Sequence, residues 1–322
     1  MTALLPQATR RAFGLLLKLI GVVVFVVILR RIDMQAAWEV VSHANVWLLA
    51  MSFLLLLLSY VAKTFRWHAL VKAGGLKPSL TESWRLYTIG IFLGNLTPSN
   101  LGELGRIPYL RKRGMALHTA TMVLGLDRFL DVIVMGVIAV LSVGILYGTD
   151  WLLIAAFCLL PFALLAFVLW RKTEIVRKFL KDFGFLPHLL SRRVLGELLL
   201  TSVIVWVLYF CWTIVLARAL GIDVPVIQLA AAITLTAAVA LIPIAPAGLG
   251  TRDAAMLTFL VPLGVSKETS IAFSLLFFVY VILSCIPGLI SWLQGLPALP
   301  KHTEAGPIVD IASPKRLPMQ DD

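Results

Sequence analysis

Two stretches of the chain combine residues that break a helix with residues that carry charge. The first covers residues 94–106 (GNLTPSNLGELGR) and the second covers residues 242–253 (IPIAPAGLGTRD), and both contain the pattern P-x-x-L-G. A charged pair follows each pattern: Glu103 and Arg106 in the first stretch, Arg252 and Asp253 in the second. The planar fork of an arginine suits a phosphate group, and a neighbouring carboxylate can pair with the arginine when no phosphate is bound. The two stretches therefore predict two halves of one anion-binding site.

Each stretch follows an apolar run, so each is expected to interrupt a helix within the membrane. Proline removes a backbone donor and glycine frees the backbone. An interrupted helix is tolerated in a bilayer only where protein or water covers the exposed backbone, and half-helix N-termini attract anions. Two breaks in corresponding halves of a chain indicate a transporter's binding site. The polar side chains at the first break, Asn95, Thr97, Ser99 and Asn100, are expected to satisfy its open backbone.

A third charged cluster, formed by Asp127, Arg128 and Asp131, lies in the first half of the long apolar run 116–146. The two aspartates are four residues apart and therefore share one face of a helix. Charged groups within a membrane span are expensive, and they indicate a functional site by default. The cluster is therefore predicted to contribute to the same site as the two interrupted helices.

Each charged cluster also has an alternative, purely structural interpretation. In that alternative, Asp127 and Asp131 anchor one end of a helix that is longer than a bilayer requires. Arg106 then only begins the basic loop that follows it, where positive anchors collect. Arg252 then forms a surface ion pair with Asp253. The sequence leaves both interpretations open.

The composition predicts an all-α polytopic membrane protein. The chain has 322 residues, of which 60% are hydrophobic and 14% are charged, and its mean hydropathy is +0.95. Soluble domains contain about a quarter charged residues, and runs long enough to span a bilayer recur along this chain. No long polar segment remains for a soluble catalytic domain.

Charge and cysteine usage exclude several classes of partner. The formal net charge of +11 comes mainly from short loops between apolar runs, where basic residues set orientation and attract anionic lipid. No nucleic-acid partner is therefore expected. The cysteines Cys158, Cys211 and Cys285 lie in separate apolar runs and the histidines are scattered, so the sequence predicts neither a disulfide framework nor a metal site.

The apolar runs predict about six transmembrane helices and two re-entrant helical hairpins that enter from opposite faces. The predicted spans are 12–29, 46–62, 116–146, 151–170, 198–217 and 268–293, and the predicted re-entrant segments are 84–106 and 227–263. The chain then divides into a first repeat, 12–146, and a second repeat, 151–293, related by inverted topology. The N-terminus, 1–11, and a polar, disordered tail, 296–322, complete the chain.

Basic residues predict the orientation of this arrangement. With both termini in the cytoplasm, the basic loops face the cytoplasm, and the opposite face holds only Arg30, Arg31, Arg218, Arg252 and Lys267. This distribution follows the positive-inside rule. In the alternative, residues 227–244 cross the membrane alone, the tail lies outside, and the inverted repeat is lost.

Three motifs together resemble the lysylphosphatidylglycerol synthase transmembrane-region family, which is often called flippase-like. The first motif, P-x-x-x-G-E-x-x-R-x-x-Y, consists here of Pro98, Gly102, Glu103, Arg106 and Tyr109. The others are the segments DRFLD, 127–131, and PAGLGTRD, 246–253. This chain has Asp127 and Asp253 where the family usually has glutamate, so the charge is kept on a shorter arm. The resemblance covers about residues 12–293.

The resemblance implies the movement of lipids across bacterial or archaeal membranes. Some members are fused to a soluble aminoacyl transferase, which this chain lacks, so lysine transfer is not carried over. Together with the charged breaks, the resemblance predicts a flippase of the bacterial inner membrane that moves an anionic, phosphate-bearing lipid by alternating access, with protons or another ion as a coupling partner. The alternatives are a membrane-embedded enzyme acting on lipid phosphates and a non-transporting assembly protein.

The predicted site needs no cofactor and no metal. Arg106 and Arg252 would bind phosphate from opposite sides. The carboxylates would pair with them in the empty site or carry protons; these are Glu103, Asp127, Asp131 and Asp253. The predicted substrate-binding residues are Asn95, Pro98, Asn100, Gly102, Glu103, Arg106, Tyr109, Asp127, Arg128, Asp131, Pro246, Gly248, Gly250, Arg252 and Asp253.

Overall fold

The computed structural model describes Glu39, Ser42 and residues 44–153, 191–241 and 251–295. Several predicted features lie outside the described residues. They are the span 12–29, most of the span 151–170 and of the loop 171–193, the tail 296–322, and residues 242–250 with Pro246, Gly248 and Gly250.

Every regular element in the described part of the chain is helical. The helices are α1 (Val46–Ala73), α2 (Leu80–Asn95), α3 (Ile107–Lys112), α4 (Leu117–Tyr147), α5 (Arg192–Ala219), α6 (Val226–Ala240), α7 (Thr251–Leu260), α8 (Lys267–Ser284) and α9 (Ile286–Gln294). Two 3₁₀ segments, Pro98–Arg106 and Val261–Leu263, complete the set.

Four helical stretches within the described ranges are long and apolar enough to cross a membrane. They are Val46–Ala73, Leu117–Tyr147, Val194–Ala219 and Lys267–Gln294. Each coincides with a predicted span, so the prediction of an all-helical, multi-pass membrane protein is confirmed.

Helix α1 is longer than the sequence predicts. Hydropathy alone ends the span at residue 62, but the helix continues to Ala73. Asn45 caps its first turn by accepting from the backbone N–H groups of Trp47 and Leu48 at 3.0 and 3.2 Å. Lys63 and Arg66, which follow the end of the predicted span 46–62, therefore belong to the helix. The helix extends past the predicted span because a charged side chain that faces the protein interior does not end a helix.

The first predicted break exists, and the chain folds back after it. Helix α2 begins with a capping box in which Ser79 and Glu82 bond each other's backbone, and it ends at Asn95. The segment Pro98–Arg106 then returns along α2. An added Cβ at Gly102 would lie 1.9 Å from the Leu93 carbonyl oxygen, so only glycine allows this close approach. Helix α2 and the 3₁₀ segment, with α3, are called the first hairpin below.

The second predicted break follows a helix too short to span a bilayer. Helix α6 has 15 residues and Leu241 as its C-cap, which gives about 22 Å at 1.5 Å per residue against a hydrocarbon core of about 30 Å. After residues 242–250 the chain continues as α7, which packs against α6. Helices α6 and α7 are called the second hairpin.

The two halves repeat the same order of elements with matching dimensions. Helices α1 and α5 each have 28 residues, and α2 and α6, which follow them, have 16 and 15. Glycines with positive φ recur at corresponding connections: Gly75 and Gly221 before the hairpins, and Gly114 and Gly264 before α4 and α8. Such backbone positions favour glycine, so the match supports an internal repeat.

The contacts between the halves are reciprocal. Helices α1 and α5 pack against each other, and they run antiparallel, because the Asn45 N–H donates to the Ala219 carbonyl at 3.1 Å while Arg66 lies 3.4 Å from Ser202. The first hairpin packs through α2 on α9 of the second half, and the second hairpin packs through α6 on α4 of the first half.

Buried apolar residues form two clusters, one around each hairpin. The first surrounds Trp67, Phe92 and Leu124, and the second surrounds Trp212, Leu229 and Phe273. Hydrogen bonds join the halves between the clusters. The Tyr60 and Ser284 hydroxyls lie 3.0 Å apart, and the Tyr280 hydroxyl donates to the Leu49 carbonyl at 2.7 Å.

Candidate functional site

A cavity of about 440 Å³ lies between the two halves, and both hairpins contribute to its wall. We call it the central cavity. Helices α1, α4 and α6 each line it with residues at helical spacing, so one continuous face of each helix is turned inward. Its polar lining residues are Ser59, Tyr60, Lys63, Tyr87, Asn95, Asn100, Glu103, Arg128, Asp131, Tyr209, Thr236 and Arg252.

A network of ion pairs closes one side of the cavity, and Arg66 of α1 lies at its centre. The Arg66 side chain is fully buried. Its Nη2 lies 2.9 Å from Asp127 Oδ1, its Nη1 lies 2.7 Å from Asp131 Oδ1, and its Nε donates to Asp127 at 3.0 Å. The aspartates predicted to share a helix face therefore share one arginine from another helix.

Arg106 joins the network from the first hairpin but does not line the central cavity. Its side chain is fully buried, forms an ion pair with Glu103, and places Nη1 3.6 Å from Asp127 Oδ2. Its guanidinium lies over Trp67 and Tyr87, 4.4 and 5.1 Å from their ring centroids. Aromatic rings and carboxylates therefore enclose Arg106, and the expectation that it meets the ligand directly stays a prediction.

Glycines of α2 create the space that Arg106 and Glu103 occupy. An added Cβ at Gly90 would lie 2.3 Å from the Arg106 Nε atom, and one at Gly94 would lie 2.9 Å from the Glu103 side chain. Neither contact leaves room for a methyl group, so the side chains of the returning segment lie directly on the α2 backbone. Close backbone approach of this kind is typical of helix contacts in membranes.

Arg128 is the arginine of the network that reaches the central cavity. Its side chain is 33% exposed, and it contacts three carboxylates. Nη1 lies 3.1 Å from Glu103, and Nη2 lies 2.9 Å from Asp127 and 3.5 Å from Asp131. Each of these acids also contacts a fully buried arginine, so none loses every partner if Arg128 turns toward a ligand.

Arg252, the second residue of α7, lines the other side of the cavity in a different setting. Its guanidinium lies 4.3 Å from the centroid of the Phe277 ring, and its Nη1 atom is buried without a hydrogen-bond partner. No ion pair in the described part of the chain involves Arg252. Trp206 and Tyr209 line the wall beside it.

The remaining predicted residues divide between the cavity and its support. Asn95 and Asn100 line the cavity; Asn95 donates to the Ile91 carbonyl at 3.0 Å, and Asn100 has φ 57°. Gly102 donates its backbone N–H to Thr97 Oγ1 at 2.6 Å, so Thr97 satisfies open backbone as expected. Pro98 begins the 3₁₀ segment.

Two predicted residues lie away from the lining. Tyr109 packs against the first apolar cluster, because the return of the first hairpin turns it toward the core. Asp253 accepts a hydrogen bond from the Ser274 hydroxyl of α8. Neither residue is among those that line the central cavity, and their contact with substrate stays a prediction.

Sequence reasoning missed Lys63 and Arg66. Both follow the apolar part of α1, where basic residues usually mark a membrane boundary. The signal that identifies them is spacing: Ser59, Tyr60 and Lys63 lie on one helical face, and Arg66 continues it one turn later. That polar stripe in a span indicates an inward-facing surface.

The described residues contain no group of three His, Cys, Asp or Glu side chains arranged to hold a metal ion. The carboxylates of the network contact arginines instead: Asp131 Oδ1 lies 2.7 Å from Arg66 Nη1, and Asp127 Oδ2 lies 3.6 Å from Arg106 Nη1. The arrangement can bind an anion and exchange ion-pair partners.

Comparison with known proteins identifies relatives along most of the chain. A membrane protein of Methanothermobacter thermautotrophicus, named UPF0104, is 24% identical over 298 residues, which cover 80% of this chain and 88% of the relative. A second UPF0104 membrane protein, from Archaeoglobus fulgidus, is 27% identical over 114 residues, or 35% of each chain. No solved structure matches the chain. Residues 13–288 match the family described as lysylphosphatidylglycerol synthase TM region, and the chain therefore belongs to that family.

Proposed function

We propose that the protein moves an anionic, phosphate-bearing lipid between the leaflets of a membrane by alternating access. The observation that carries this proposal is the central cavity, which lies inside a helical membrane protein, is walled by both halves of the chain, and places ionisable and hydroxyl side chains among apolar ones. Family membership supports a role in lipid handling. A site between two packed halves is the arrangement on which alternating-access transporters depend.

The pseudo-symmetry of the halves supports an inverted-topology repeat. Helices α1 and α5 correspond in length and position, are both long enough to span the membrane, and run antiparallel. Antiparallel counterparts are what inversion produces. The two hairpins then approach the midplane from opposite faces, and rocking of one half against the other would open the cavity to each side in turn.

The headgroup would be held by Arg128 from the first half and Arg252 from the second. Arg106 acts as a positioning residue that fixes Glu103, rather than as a ligand. Glu103 and Asp131 hold Arg128 in the empty cavity, and Asp127 and Asp131 are the carboxylates that would carry protons in a coupled cycle. Val132 and Leu241, which are 50% and 40% exposed, lie at the edge of the cavity and would let lipid tails stay in the bilayer.

The proposed location is the cytoplasmic membrane, with both termini in the cytoplasm. The basic loop residues of the sequence support this orientation through the positive-inside rule. Single cysteines placed before residue 12 and after Leu296 should resist membrane-impermeant thiol reagents in intact cells and react after permeabilisation. Labelling of either cysteine in intact cells would contradict the orientation.

Transport is tested with purified protein in liposomes that contain lipid carrying a fluorescent label. A reductant that cannot cross the membrane bleaches only label in the outer leaflet, so movement between leaflets appears as additional bleaching. We expect additional bleaching with the native protein, much less with Arg252→Ala, and native behaviour with Arg111→Ala, in which an exposed arginine outside the cavity is removed.

The same liposomes distinguish the alternatives. Extraction of the lipid and chromatography detect a chemically converted product, which would indicate a membrane-embedded enzyme. If neither additional bleaching nor a converted product is detected, the result would indicate a non-transporting assembly protein. Native transport by Arg252→Ala at equal protein level would contradict the assignment of Arg252 to the lipid-binding site.

Proton coupling is tested separately. Asp131→Asn should abolish any stimulation of lipid transport by a proton gradient.

A further inference from the structure

Lys63 is the unexplained charge of the central cavity. It lies on α1, lines the cavity, and forms no ion pair with any residue in the described ranges. Its main electrostatic neighbours are Asp131 and Arg128, and Asp131 is already contacted by two arginines. A charge within a span normally has a partner, so a lysine that faces a cavity with no carboxylate in ion-pair contact requires another explanation.

The ion-pair network beside Lys63 is balanced without it. Its three carboxylates are Glu103, Asp127 and Asp131, and its three cations are Arg66, Arg106 and Arg128. Across the cavity, the positive charge of Arg252 is offset by Asp253, which does not line the cavity but is an electrostatic neighbour of Arg252. Residues 242–250, which join the halves of the second hairpin, contain no ionisable side chain. Among the described residues, Lys63 therefore leaves the cavity with one surplus positive charge.

A single surplus charge favours an occupant with a single negative charge. Isolated charge is strongly disfavoured at low dielectric, so a monoanion neutralises the site whereas a dianion makes it negative. A phosphodiester carries one negative charge, but a phosphomonoester carries about −1.5 to −2 at neutral pH. A zwitterion brings no net charge and leaves the surplus in place.

We infer that Lys63 is a headgroup ligand and that the central cavity selects monoanionic phosphodiester lipids over phosphomonoesters and zwitterions. This inference rests on the proposed function, because it names the substrate class of the same cavity. The ammonium group of lysine is a compact charge with three donors, which suits the non-bridging oxygens of a diester. Arg128 and Arg252 would then hold the same phosphate from opposite walls.

Binding is measured with purified full-length protein in neutral detergent, using three probes with identical dioctanoyl tails. They are phosphatidylmethanol, a minimal phosphodiester, phosphatidic acid, a phosphomonoester, and phosphatidylcholine, a zwitterion. We expect phosphatidylmethanol to bind about tenfold more tightly than either of the others, or about 1.4 kcal/mol. Equal or tighter binding of phosphatidic acid or phosphatidylcholine by the native protein overturns the inference.

Variants separate charge from packing. Lys63→Met should reduce phosphatidylmethanol affinity to that of phosphatidylcholine, while Lys63→Arg and the control Arg111→Met should keep the native order. An unchanged order in folded Lys63→Met, judged by its unfolding midpoint and size-exclusion profile, overturns the role of Lys63. If Lys63→Met does not fold, the native probe series and Lys63→Arg still decide, and loss of the order in Lys63→Arg counts against a charge-based selection.

Two further arms separate this inference from the proposed function. Dimethyl phosphate carries the same monoanion without tails and should bind far more weakly, since a free anion lacks the apolar contacts of a lipid. Comparable binding would show a site for small anions and overturn the lipid assignment. Charge-selective binding without leaflet exchange in liposomes would contradict the proposed transport but support the selection of monoanionic lipids. Leaflet exchange that does not depend on headgroup charge would support transport but contradict the selection.

Discussion

The first and second hairpins occupy corresponding places in the order of helices, but their arginines have different surroundings. In the first hairpin, Arg106 is enclosed by Trp67, Tyr87 and two carboxylates, and it does not reach the cavity. In the second, Arg252 lies on Phe277, faces the cavity, and takes part in no ion pair found in the described residues. The arginine of the first hairpin is therefore held in a buried ion-pair network, whereas the arginine of the second hairpin faces the cavity.

This difference follows from the energetics of buried charge. Removing one partner from a buried pair leaves an uncompensated charge and costs about 3–5 kcal/mol. A guanidinium stacked on an aromatic ring gains about 0.5–2 kcal/mol from the contact and leaves no charge behind when it is lost. The comparison therefore predicts that substitutions of charged residues in the first hairpin mainly lower the free energy of unfolding, whereas substitution of Arg252 in the second mainly lowers lipid affinity.

The largest expected effect is the removal of Arg66 from the network. Arg66→Met leaves Asp127 and Asp131 without their shared partner, so the unfolding midpoint in detergent should fall, by an amount equivalent to about 3–5 kcal/mol. Arg252→Met should lower it by less than about 2 kcal/mol. Similar losses in both variants would erase the distinction between the hairpins.

A double variant sharpens that result. Arg66→Met combined with Asp127→Asn removes one charge of each sign, and it should recover a large part of the lost stability, because Asp131 still contacts Arg128. Coupling between residues of one network is expected in such a cycle. Strictly additive losses would show that the two side chains act independently.

The second expected effect concerns the return of the first hairpin. Gly102→Ala places a methyl group against the Leu93 carbonyl, so the 3₁₀ segment must move, at a cost of about 1–3 kcal/mol or more. Gly125→Ala is the matched control, because an added Cβ there meets nothing within 4 Å and a helical alanine stabilises by about 0.5–1 kcal/mol. Trypsin sensitivity near Arg111 should rise only in Gly102→Ala. Equal behaviour of the two variants would contradict the close packing.

Part of this arrangement could be predicted from sequence. The helix break after Asn95 follows from local backbone chemistry, since Pro98 and Gly102 act on the chain near themselves. The aspartates at 127 and 131 lie on one face because helical spacing dictates it. Both predictions use information that is local in the chain.

The partners of these residues could not be predicted in the same way. Arg66 and Asp127 are brought together by the packing of α1 and α4, and no local pattern encodes that pair. Arg106 is enclosed because Gly90, Trp67 and Tyr87 leave it one position. Hydropathy also ended α1 before Lys63, since a window average cannot distinguish a charge that faces a cavity from one that faces water.

The third effect is on binding and is expected in the second hairpin alone. Arg252→Lys keeps the charge but loses the planar group that stacks on Phe277, so labelled-lipid exchange in liposomes should fall by about tenfold, or about 1.4 kcal/mol. Arg106→Lys should instead lower the unfolding midpoint, because lysine cannot contact Glu103 and Asp127 as a fork. A defect in lipid exchange in an Arg106→Lys protein of native stability would indicate that Arg106 binds the lipid directly.

The smallest expected effect lies at the mouth of the first hairpin, where Arg113 Nη1 is 2.7 Å from Glu82 Oε2. The hydrogen bond from Arg113 lowers the pKa of Glu82 below its ordinary value of 4.5. A lowered pKa in the folded state means that the pair stabilises the protein above pH 4.5, and that this contribution is lost as the pH falls through the lowered value. Helix α6 of the second hairpin begins with Val226, Ile227 and Gln228, which carry no charge.

Glu82→Gln isolates that contribution, because glutamine can still complete the capping box with Ser79 but cannot pair with Arg113 as a charge. The native protein should be more stable than the variant by about 0.2–1 kcal/mol at pH 7, and the difference should vanish below the lowered pKa. Unfolding midpoints of both proteins across pH 3 to 7 measure it. Gln228→Glu is the matched change in the second hairpin, because it introduces a first-turn carboxylate that interacts with the helix dipole but has no arginine partner in the described residues. A difference that persists unchanged in acid would assign the effect to helix capping rather than to the ion pair.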